Sequence, residues 1–325
     1  MMRHLKGMGD KLSIAIPADE DGFVGRECPN PECLGYFKIQ PGTGLKGDKL
    51  PCHCPYCGHI GGSDTFFTKE QIEYAKSVAI KQITDALKRD MQEWDRELRR
   101  STSNSFIKLS LDYKPGHHPV QYYREKQLET IVICDQCALR YAVYGVFASC
   151  PDCGSHNSRQ ILDKNIELVE KELQLTESME TQLAEHLVGD ALENAVAAFD
   201  GFGRETCRVF AAKASSQAAA ENLSFQNLPA ARQRVIGLFG LDIQGGMAVD
   251  DWEFVCRCFQ KRHLLAHKMG VVDQAYVDAT HDPAVVLGRK IVIERSEVRK
   301  LAGLLRELGL ALFNGLSGHT PVASP

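Results

Sequence analysis

The stretch CDQCALRYAVYGVFASCPDCG, residues 134–154, decides the fold of the middle of this 325-residue chain. Two Cys-x2-Cys turns, Cys134 to Cys137 and Cys150 to Cys153, stand twelve residues apart. Each turn places two thiolates on one side of a metal ion, and the second turn completes a cage of four soft ligands. The sequence therefore predicts a four-cysteine zinc site built on short strands.

The strands of this stretch are predicted from the apolar runs LETIVI at 128–133 and YAVYGVFAS at 141–149. Gly154, directly after the last cysteine, permits the tight backbone of such a turn. The pattern is similar to the zinc-ribbon family over about residues 128–156. Because four thiols fill the coordination sphere, the site is expected to be structural and not catalytic.

A less regular cysteine group lies nearer the N-terminus, where glycine and proline separate apolar runs too short to hold a fold by burial alone. CPYCG at 54–58 repeats the CPDCG form of the other group. The favoured ligands are Cys28, Cys33, Cys54 and Cys57. Cys52 and His53 crowd the same turn, so each of them is an alternative fourth ligand. Two structural Zn²⁺ ions per chain are expected.

Hydrophobic periodicity divides the remaining chain. The predicted domains are a zinc-ribbon-like module at 1–68, a connecting helix at 69–103, a second zinc ribbon at 104–160 and a helical domain at 161–325. Residues 106–160 show strand-like alternation, with a PGHHP turn expected at 115–119. The fold class is thus α+β multidomain: two small zinc-ribbon β modules joined by a long helix, then an all-α helical bundle.

Helix-end signals refine this division. Thr68 is predicted to cap the connecting helix, and Ser296 to cap the last helix of the chain. Gly270 and Gly315 stand where helix C-terminal caps belong. The long helical pattern that begins at residue 163 fits one continuous helix or one broken helix.

Composition limits the classes of function. With 12 cysteines and no apolar run of 18 residues, the chain is expected to be a soluble cytoplasmic protein that binds metal and spans no membrane. The net charge of −4 excludes a protein that coats nucleic acid through a general positive field, so RNA would be held by local clusters. Possible contacts in the zinc modules, which packing or ordinary solvent exposure would equally explain, are Phe37, Lys38, Tyr122, Tyr123 and Arg124. The remaining cysteines are predicted to be small buried hydrophobes: Cys207, Cys256 and Cys258.

The stretch FQKRHLLAHKM, residues 259–269, places Arg262 five positions before His267, with the polar His263 between them. An Arg-x4-His motif late in an all-helical domain resembles the catalytic motif of the HEPN superfamily. The resemblance implies a helical bundle over roughly 163–315, dimerisation and metal-independent cleavage of RNA. It makes Arg262, His263 and His267 candidate catalytic residues. The family often has a tyrosine soon after the histidine, whereas lysine and methionine stand there in this chain.

The helical period gives an independent view of this motif. At about 100° per residue, one apolar stripe contains Trp252, Val255, Cys256, Phe259, His263 and Ala266. Arg262 and His267 flank the stripe on opposite sides. Packing or positioning is favoured for His263 over direct acid–base work. A metal held by His263 and His267 is disfavoured because neither a following carboxylate nor a third ligand is evident.

Two functions follow from these observations. The first is a HEPN-type endoribonuclease that cleaves by 2′-OH attack, a toxin or antiviral defence effector whose zinc ribbons recognise the substrate or a trigger. One certain histidine per protomer makes a homodimer a mechanistic expectation, and a protein trigger or inhibitor is a further expected partner. The alternative is a non-catalytic zinc-ribbon adaptor that binds nucleic acid or protein, with a dimerising helical domain.

Overall fold

The computed structural model of the protein describes residues 2–47, 50–104, 106–114, 116, 118–128 and 130–318. Contacts divide the chain into two units, Met1–Ser155 and His156–Pro325. Both cysteine groups therefore belong to one unit, which we call the cysteine unit. The second is called the helical unit.

The cysteine unit contains a four-stranded antiparallel sheet whose strand order is β1-β2-β6-β5. Its strands are β1 (Val24–Glu27), β2 (Tyr36–Ile39), β5 (Thr130–Ile133) and β6 (Arg140–Val143). A separate hairpin pairs β3 (Pro51–His53) with β4 (Ile60–Gly62). Where β2 meets β6, Lys38 pairs with Ala142 and Ile39 pairs with Tyr141. The sequence presents the two cysteine groups as separate modules, whereas the structure joins their strands in one sheet.

The long helix α2 (Lys69–Ser101) begins as predicted. The Thr68 side chain accepts a hydrogen bond from the backbone N–H of Gln71, and the Gln71 side chain accepts one from the backbone N–H of Thr68. This reciprocal capping box satisfies two backbone donors that the first helical turn leaves unpaired. A short helix, α1 (Arg3–Lys6), docks on α2 through Asp90, whose carboxylate accepts from the backbone N–H groups of His4 and Leu5.

Strand structure in 106–160 is confirmed only in part. The described residues of that range form β5, β6 and the start of α3, and those before β5 have no regular structure. Part of its backbone bonds to α2 side chains: the N–H of Leu111 donates to Asp95 and the N–H of Gln121 donates to Ser77. Nearer β5, the N–H of Lys126 donates to the hydroxyl of Tyr36 on β2. The alternation of this segment thus reflects a chain lying along a helix.

The helical unit contains α3 (Ser158–Leu175), α4 (Thr181–Val209), α5 (Gln217–Glu221), α6 (Leu228–Phe239), α7 (Val249–Lys268), α8 (Gln274–Thr280) and α9 (Arg295–Ser317). The long pattern from residue 163 is a broken helix, because a 3₁₀ turn at Thr176–Ser178 separates α3 from α4. Phe199 lies at the centre of the core, with its ring 5.9–6.3 Å from those of Phe202, Phe225 and Phe259.

None of the three predicted caps in this unit is the capping residue itself. The C-terminal cap of α7 is Met269, in the left-handed conformation; Gly270 follows it with a positive φ, and its N–H reaches back to the carbonyl of Leu264. Gly315 lies inside α9, where a Cβ would come within 2.6 Å of Leu241, so its role is close packing; the C-terminal cap is Gly318. The N-terminal cap of α9 is Glu294, not Ser296, because Glu294 forms a capping box with Glu297.

Candidate functional site

The first cysteine group assembles as predicted in the cysteine unit. The sulfur atoms of Cys28 and Cys57 lie 3.7 Å apart, as do those of Cys33 and Cys54. All four ligand atoms lie within 4.8 Å of one another. A tetrahedron with zinc–sulfur bonds of about 2.3 Å has edges of about 3.8 Å. The closest sulfur pairs therefore have the separation that a tetrahedral ion requires.

The second group has the same geometry. Cys134 and Cys153 have their sulfur atoms 3.6 Å apart, and Cys137 and Cys150 have theirs 3.5 Å apart. These distances are far longer than the ~2.05 Å of a disulfide bond. All eight cysteines are free. Two four-cysteine groups able to hold metal ions are thus present, on the residues that the spacing predicts.

The backbone of the turns explains why four sulfurs converge. Three of the turns have the regular Cys-x2-Cys spacing. In each of them the N–H of the first cysteine donates to the backbone carbonyl five residues later. These bonds run from Cys54 to His59, from Cys134 to Leu139 and from Cys150 to Ser155. The residue after the second cysteine has a positive φ in these turns and in the irregular one that contains Cys33. These residues are Leu34, Gly58, Ala138 and Gly154.

The turn at Cys28 accommodates its irregular spacing. The N–H of Leu34 donates to the carbonyl of Asn30, as the N–H of Gly58 donates to that of Cys54. Asn30 therefore occupies the position of the first cysteine in the other turns. The ligand lies two residues earlier, at Cys28, whose sulfur still reaches the group.

Cys52 and His53 lie outside both groups. Cys52 is buried in β3, and its burial raises the pKa of the thiol to about 12. The Nδ1 atom of His53 lies 3.2 Å from the carbonyl oxygen of Pro151. The four cysteines that the sequence favours therefore form the group without either alternative ligand.

The two groups are connected through their turns. The N–H of His53 donates to the carbonyl of Pro151 over 2.7 Å, and the N–H of Ser149 donates to that of Pro55 over 2.9 Å. Cysteines of both groups belong to one buried cluster that also contains Phe37, Phe66 and Tyr141. The cysteine unit is thus one folded body with two metal positions, a connection that the spacing of the cysteines does not reveal.

Two of the candidate nucleic-acid contacts are contradicted by burial. Phe37 is in the core, and Lys38 is buried with its ammonium group 2.7 Å from Asp19. Both lie on β2, which is covered because it is an inner strand of the sheet. Tyr122 and Arg124 are exposed and remain available to a partner.

The Arg-x4-His motif lies in the last turns of α7. Trp252, Val255 and Phe259 are buried as the apolar stripe predicts, but His263 is exposed. The expected packing of His263 is therefore wrong. The next buried apolar residue of α7, Leu264, packs in a satellite cluster with Val272, Tyr276 and Ile291. The end of the stripe is thus open to solvent.

Two imidazoles are presented at this open end. His263 and His267 are both exposed, and their ring centroids lie 4.8 Å apart with an interplanar angle of 55°. Arg262 is half-buried, and its Nε atom is buried without a hydrogen-bond partner among the described residues. Within the same residues it forms no ion pair with a carboxylate. The last turns of α7 therefore carry two exposed imidazoles and an arginine without a carboxylate partner among the described residues.

Metal binding by this histidine pair finds no support in the described residues. The groups of three or more potential ligands there are the two four-cysteine groups and one formed by His4, Asp90 and Glu93. The last group joins α1 to α2, with His4 Nε2 3.0 Å from Glu93 and Asp90 occupied by backbone N–H groups. We interpret it as a helix-docking contact.

The cysteines of the helical unit have the predicted character. Cys207 and Cys258 are buried, and burial raises the pKa of each thiol to about 12. Cys256 is half-buried, and burial raises the pKa of its thiol to about 11. Such thiols are weak nucleophiles and weak metal ligands.

Comparison of the chain with protein-family models gives no match, and searches of the curated proteins and of the solved structures find none that resembles it significantly. A search for membrane spans across the described residues finds no helix with the length and apolar character to cross a bilayer.

Proposed function

We propose that this protein is a HEPN-type endoribonuclease with two structural zinc ions. The observation that carries the proposal is the end of α7, which holds the neighbouring exposed rings of His263 and His267 and, in the same turns, Arg262 without a carboxylate partner among the described residues. Histidine exchanges protons near neutral pH, and arginine binds phosphate through two parallel hydrogen bonds. These are the residue types that RNA cleavage without a catalytic metal requires.

The proposed reaction is a transesterification followed by release. A histidine removes the proton of the ribose 2′-OH, and the oxygen forms a bond to the adjacent phosphorus. Arg262 stabilises the negative charge that develops on the phosphoryl oxygens. The bond from phosphorus to the 5′ oxygen then breaks, and a second imidazole donates a proton to that oxygen. The products are a 2′,3′-cyclic phosphate and a free 5′-OH.

Because His263 is exposed, it can take part in one of the two proton transfers of the proposed reaction. One protomer presents two imidazoles, so His267 and His263 together supply a base and an acid. We further propose a homodimer that covers the open end of α7, because Met269 and Val271 expose apolar surface beside the motif. Sedimentation should show a dimer at micromolar concentration. A monomer under those conditions would refute this arrangement.

The zinc ions are assigned a structural role. Each four-cysteine group offers four sulfurs to one ion, which leaves no position for water or substrate. Binding of RNA or of a protein trigger would then use the surface of the cysteine unit, where Tyr122 and Arg124 are exposed. Metal analysis of protein purified without chelators should find two zinc ions per chain.

The deciding experiment is cleavage of total RNA by zinc-loaded protein, with EDTA added to the assay and zinc content measured afterwards. His267→Ala and Arg262→Ala should each lower the rate by about 10²–10⁴-fold, the usual contribution of an acid–base or charge-stabilising group. His186→Ala is the matched control, since His186 is an exposed histidine of α4 outside the motif. RNA methylated at the 2′ oxygen should be inert.

Three results would overturn the proposal. Cleavage that needs magnesium and leaves 5′-phosphate ends would place another chemistry in the protein. Full activity in His267→Ala would locate the reaction elsewhere. Binding of RNA without cleavage would favour the non-catalytic adaptor.

A further inference from the structure

A surface pocket of about 500 Å³ lies in the helical unit, and neither His263 nor His267 is among the residues that line it. It is bounded by α7, by the segment between α8 and α9 and by the first turn of α9. Volumes of roughly 300–1,000 Å³ are typical of sites for small molecules. One part of the wall is apolar, formed by Phe254, Val272, Val285 and Ile291.

The other part of the wall contains charged groups that are unusually well buried. Lys261 is only 7% exposed, and its ammonium group lies 2.5 Å from the carboxylate of Glu297. Asp282 is 9% exposed and accepts a hydrogen bond of 3.0 Å from the hydroxyl of the buried Tyr276. Burying charges costs free energy, which apolar residues of similar size would avoid. Because these charged groups line a concave surface, the pocket is a candidate binding site.

The acidic groups of the pocket are already occupied. Asp282 accepts from Tyr276 and from the backbone N–H of Ala284. Glu297 is engaged by Lys261, and Glu294 accepts from the Ser296 hydroxyl and the backbone N–H of Glu297. None of these three carboxylates therefore needs a further partner.

Three cationic side chains of the pocket have only a long ion pair or none among the described residues. Arg257 is 4.0 Å from Asp282, too far for a direct hydrogen bond. Arg289 and Lys290 line the pocket, are exposed and form no ion pair within the described residues. Two guanidinium groups and an ammonium group match the charge of a phosphate or diphosphate better than that of a single carboxylate.

We propose that this pocket binds a small phosphorylated molecule whose apolar or aromatic body rests on the wall of Phe254, Val272 and Ile291. Arg257, Arg289 and Lys290 would hold the phosphate group, and Lys261 with Glu297 would keep the wall in place. A nucleoside diphosphate has the required size and chemistry. The inference goes beyond RNA cleavage, because the residues of the pocket differ from those of the Arg-x4-His motif.

The test is titration calorimetry of the full chain with adenosine diphosphate, inorganic pyrophosphate and adenosine. Both phosphate compounds should bind, the nucleotide more tightly, whereas adenosine should not. Arg289→Ala and Arg257→Lys should each weaken binding by about tenfold or more, the effect of losing one charge-assisted hydrogen bond. Arg234→Ala is the matched control, since Arg234 is an exposed arginine of α6 outside the pocket.

The outcomes distinguish this site from the proposed ribonuclease site. His267→Ala should bind the nucleotide as tightly as the unaltered chain, whether or not that chain cleaves RNA. Absence of saturable binding for both phosphate compounds would overturn the pocket proposal. So would variants Arg289→Ala and Arg257→Lys that bind the nucleotide as tightly as the unaltered chain does. Thermal unfolding of each variant would show that it remains folded. Binding of a single-stranded RNA oligonucleotide at these arginines, without binding of the small compounds, would overturn it too.

Discussion

The cysteine unit and the helical unit are each stabilised internally, but by different interactions. Among the described residues, the buried cluster of the cysteine unit contains 12 residues, of which five are cysteines. Among the same residues, the main core of the helical unit contains 30, nearly all aliphatic or aromatic. Burial stabilises a core roughly in proportion to the apolar area removed from water. The helical unit should therefore be stable without metal, whereas the cysteine unit should depend on it.

The largest expected effect follows from removing one metal ligand. In Cys150→Ser the second group loses a thiolate, and metal binding contributes roughly 10–16 kcal/mol to the folding of small zinc modules. Because both groups share one sheet and one buried cluster, we expect the whole cysteine unit to lose its structure.

Limited proteolysis would check this expectation. It should degrade residues before 155 and spare the helical unit. Zinc content should fall from two ions to none. Retention of one tightly bound ion by a protease-resistant first group would show that the two groups fold independently. It would contradict the expectation that the whole cysteine unit loses its structure.

The reciprocal change truncates the centre of the helical core. Phe199→Ala removes a fully buried ring that contacts three other aromatic rings. Such truncations cost about 3–5 kcal/mol. Urea unfolding should show this loss for the helical unit alone, while two zinc ions remain bound. Loss of zinc from this variant would mean that the units depend on each other for stability.

A smaller effect should appear as pH falls. Burial alone would raise the pKa of Glu205, but hydrogen bonds from Arg208 and His156 hold it at about 2, below its usual 4.5. A carboxylate with a lowered pKa adds stability above its unfolded pKa and loses it as pH falls toward its folded pKa. The helical unit should therefore lose stability between about pH 4.5 and pH 2.

Urea unfolding at pH 5 and pH 3 would measure that loss. Glu205→Gln has no carboxylate at this position, so its stability should change less between the two pH values. Glu185→Gln is the matched control, since Glu185 is an exposed carboxylate of α4 in the same unit. An unaltered protein whose stability changes no more than that of Glu205→Gln would contradict the expected window.

The smallest effect concerns Cys52. Because this thiol lies outside the four-sulfur group, Cys52→Ser should keep two zinc ions per chain. Its cost should be limited to placing a hydroxyl in a buried apolar position, about 1–3 kcal/mol. Metal analysis beside the Cys54→Ser control, which should lose zinc, would decide whether Cys52 can act as an exchangeable ligand.

Local rules predicted much of the cysteine unit. The repeat of Cys-x2-Cys turns identifies the ligands because the turn itself places two sulfurs together, and Thr68 caps α2 through residues only three positions away. The pairing of β2 with β6 was not predictable, since no local pattern specifies which distant strands meet.

In the helical unit the period of α7 correctly predicted which residues face the core, but not where the core ends. His263 lies on the predicted stripe, yet it is exposed, while the adjacent Leu264 is buried in a separate cluster. Lys261 differs from expectation in the opposite direction, because it is buried where exposure is expected. A lysine at such a position usually faces solvent, but this one is buried against Glu297, a partner 36 residues away.

The β2–β6 pairing has a consequence for synthesis of the chain. Its paired residues are about 100 positions apart, so at 5–20 residues per second the ribosome takes roughly 5–20 s to supply the second strand after the first. During that interval the first cysteine group has all its thiols but lacks its neighbouring strand. A nascent chain stalled before residue 134 would therefore expose four reactive sulfurs without the sheet that later covers them, which makes timely delivery of zinc a condition for correct biogenesis.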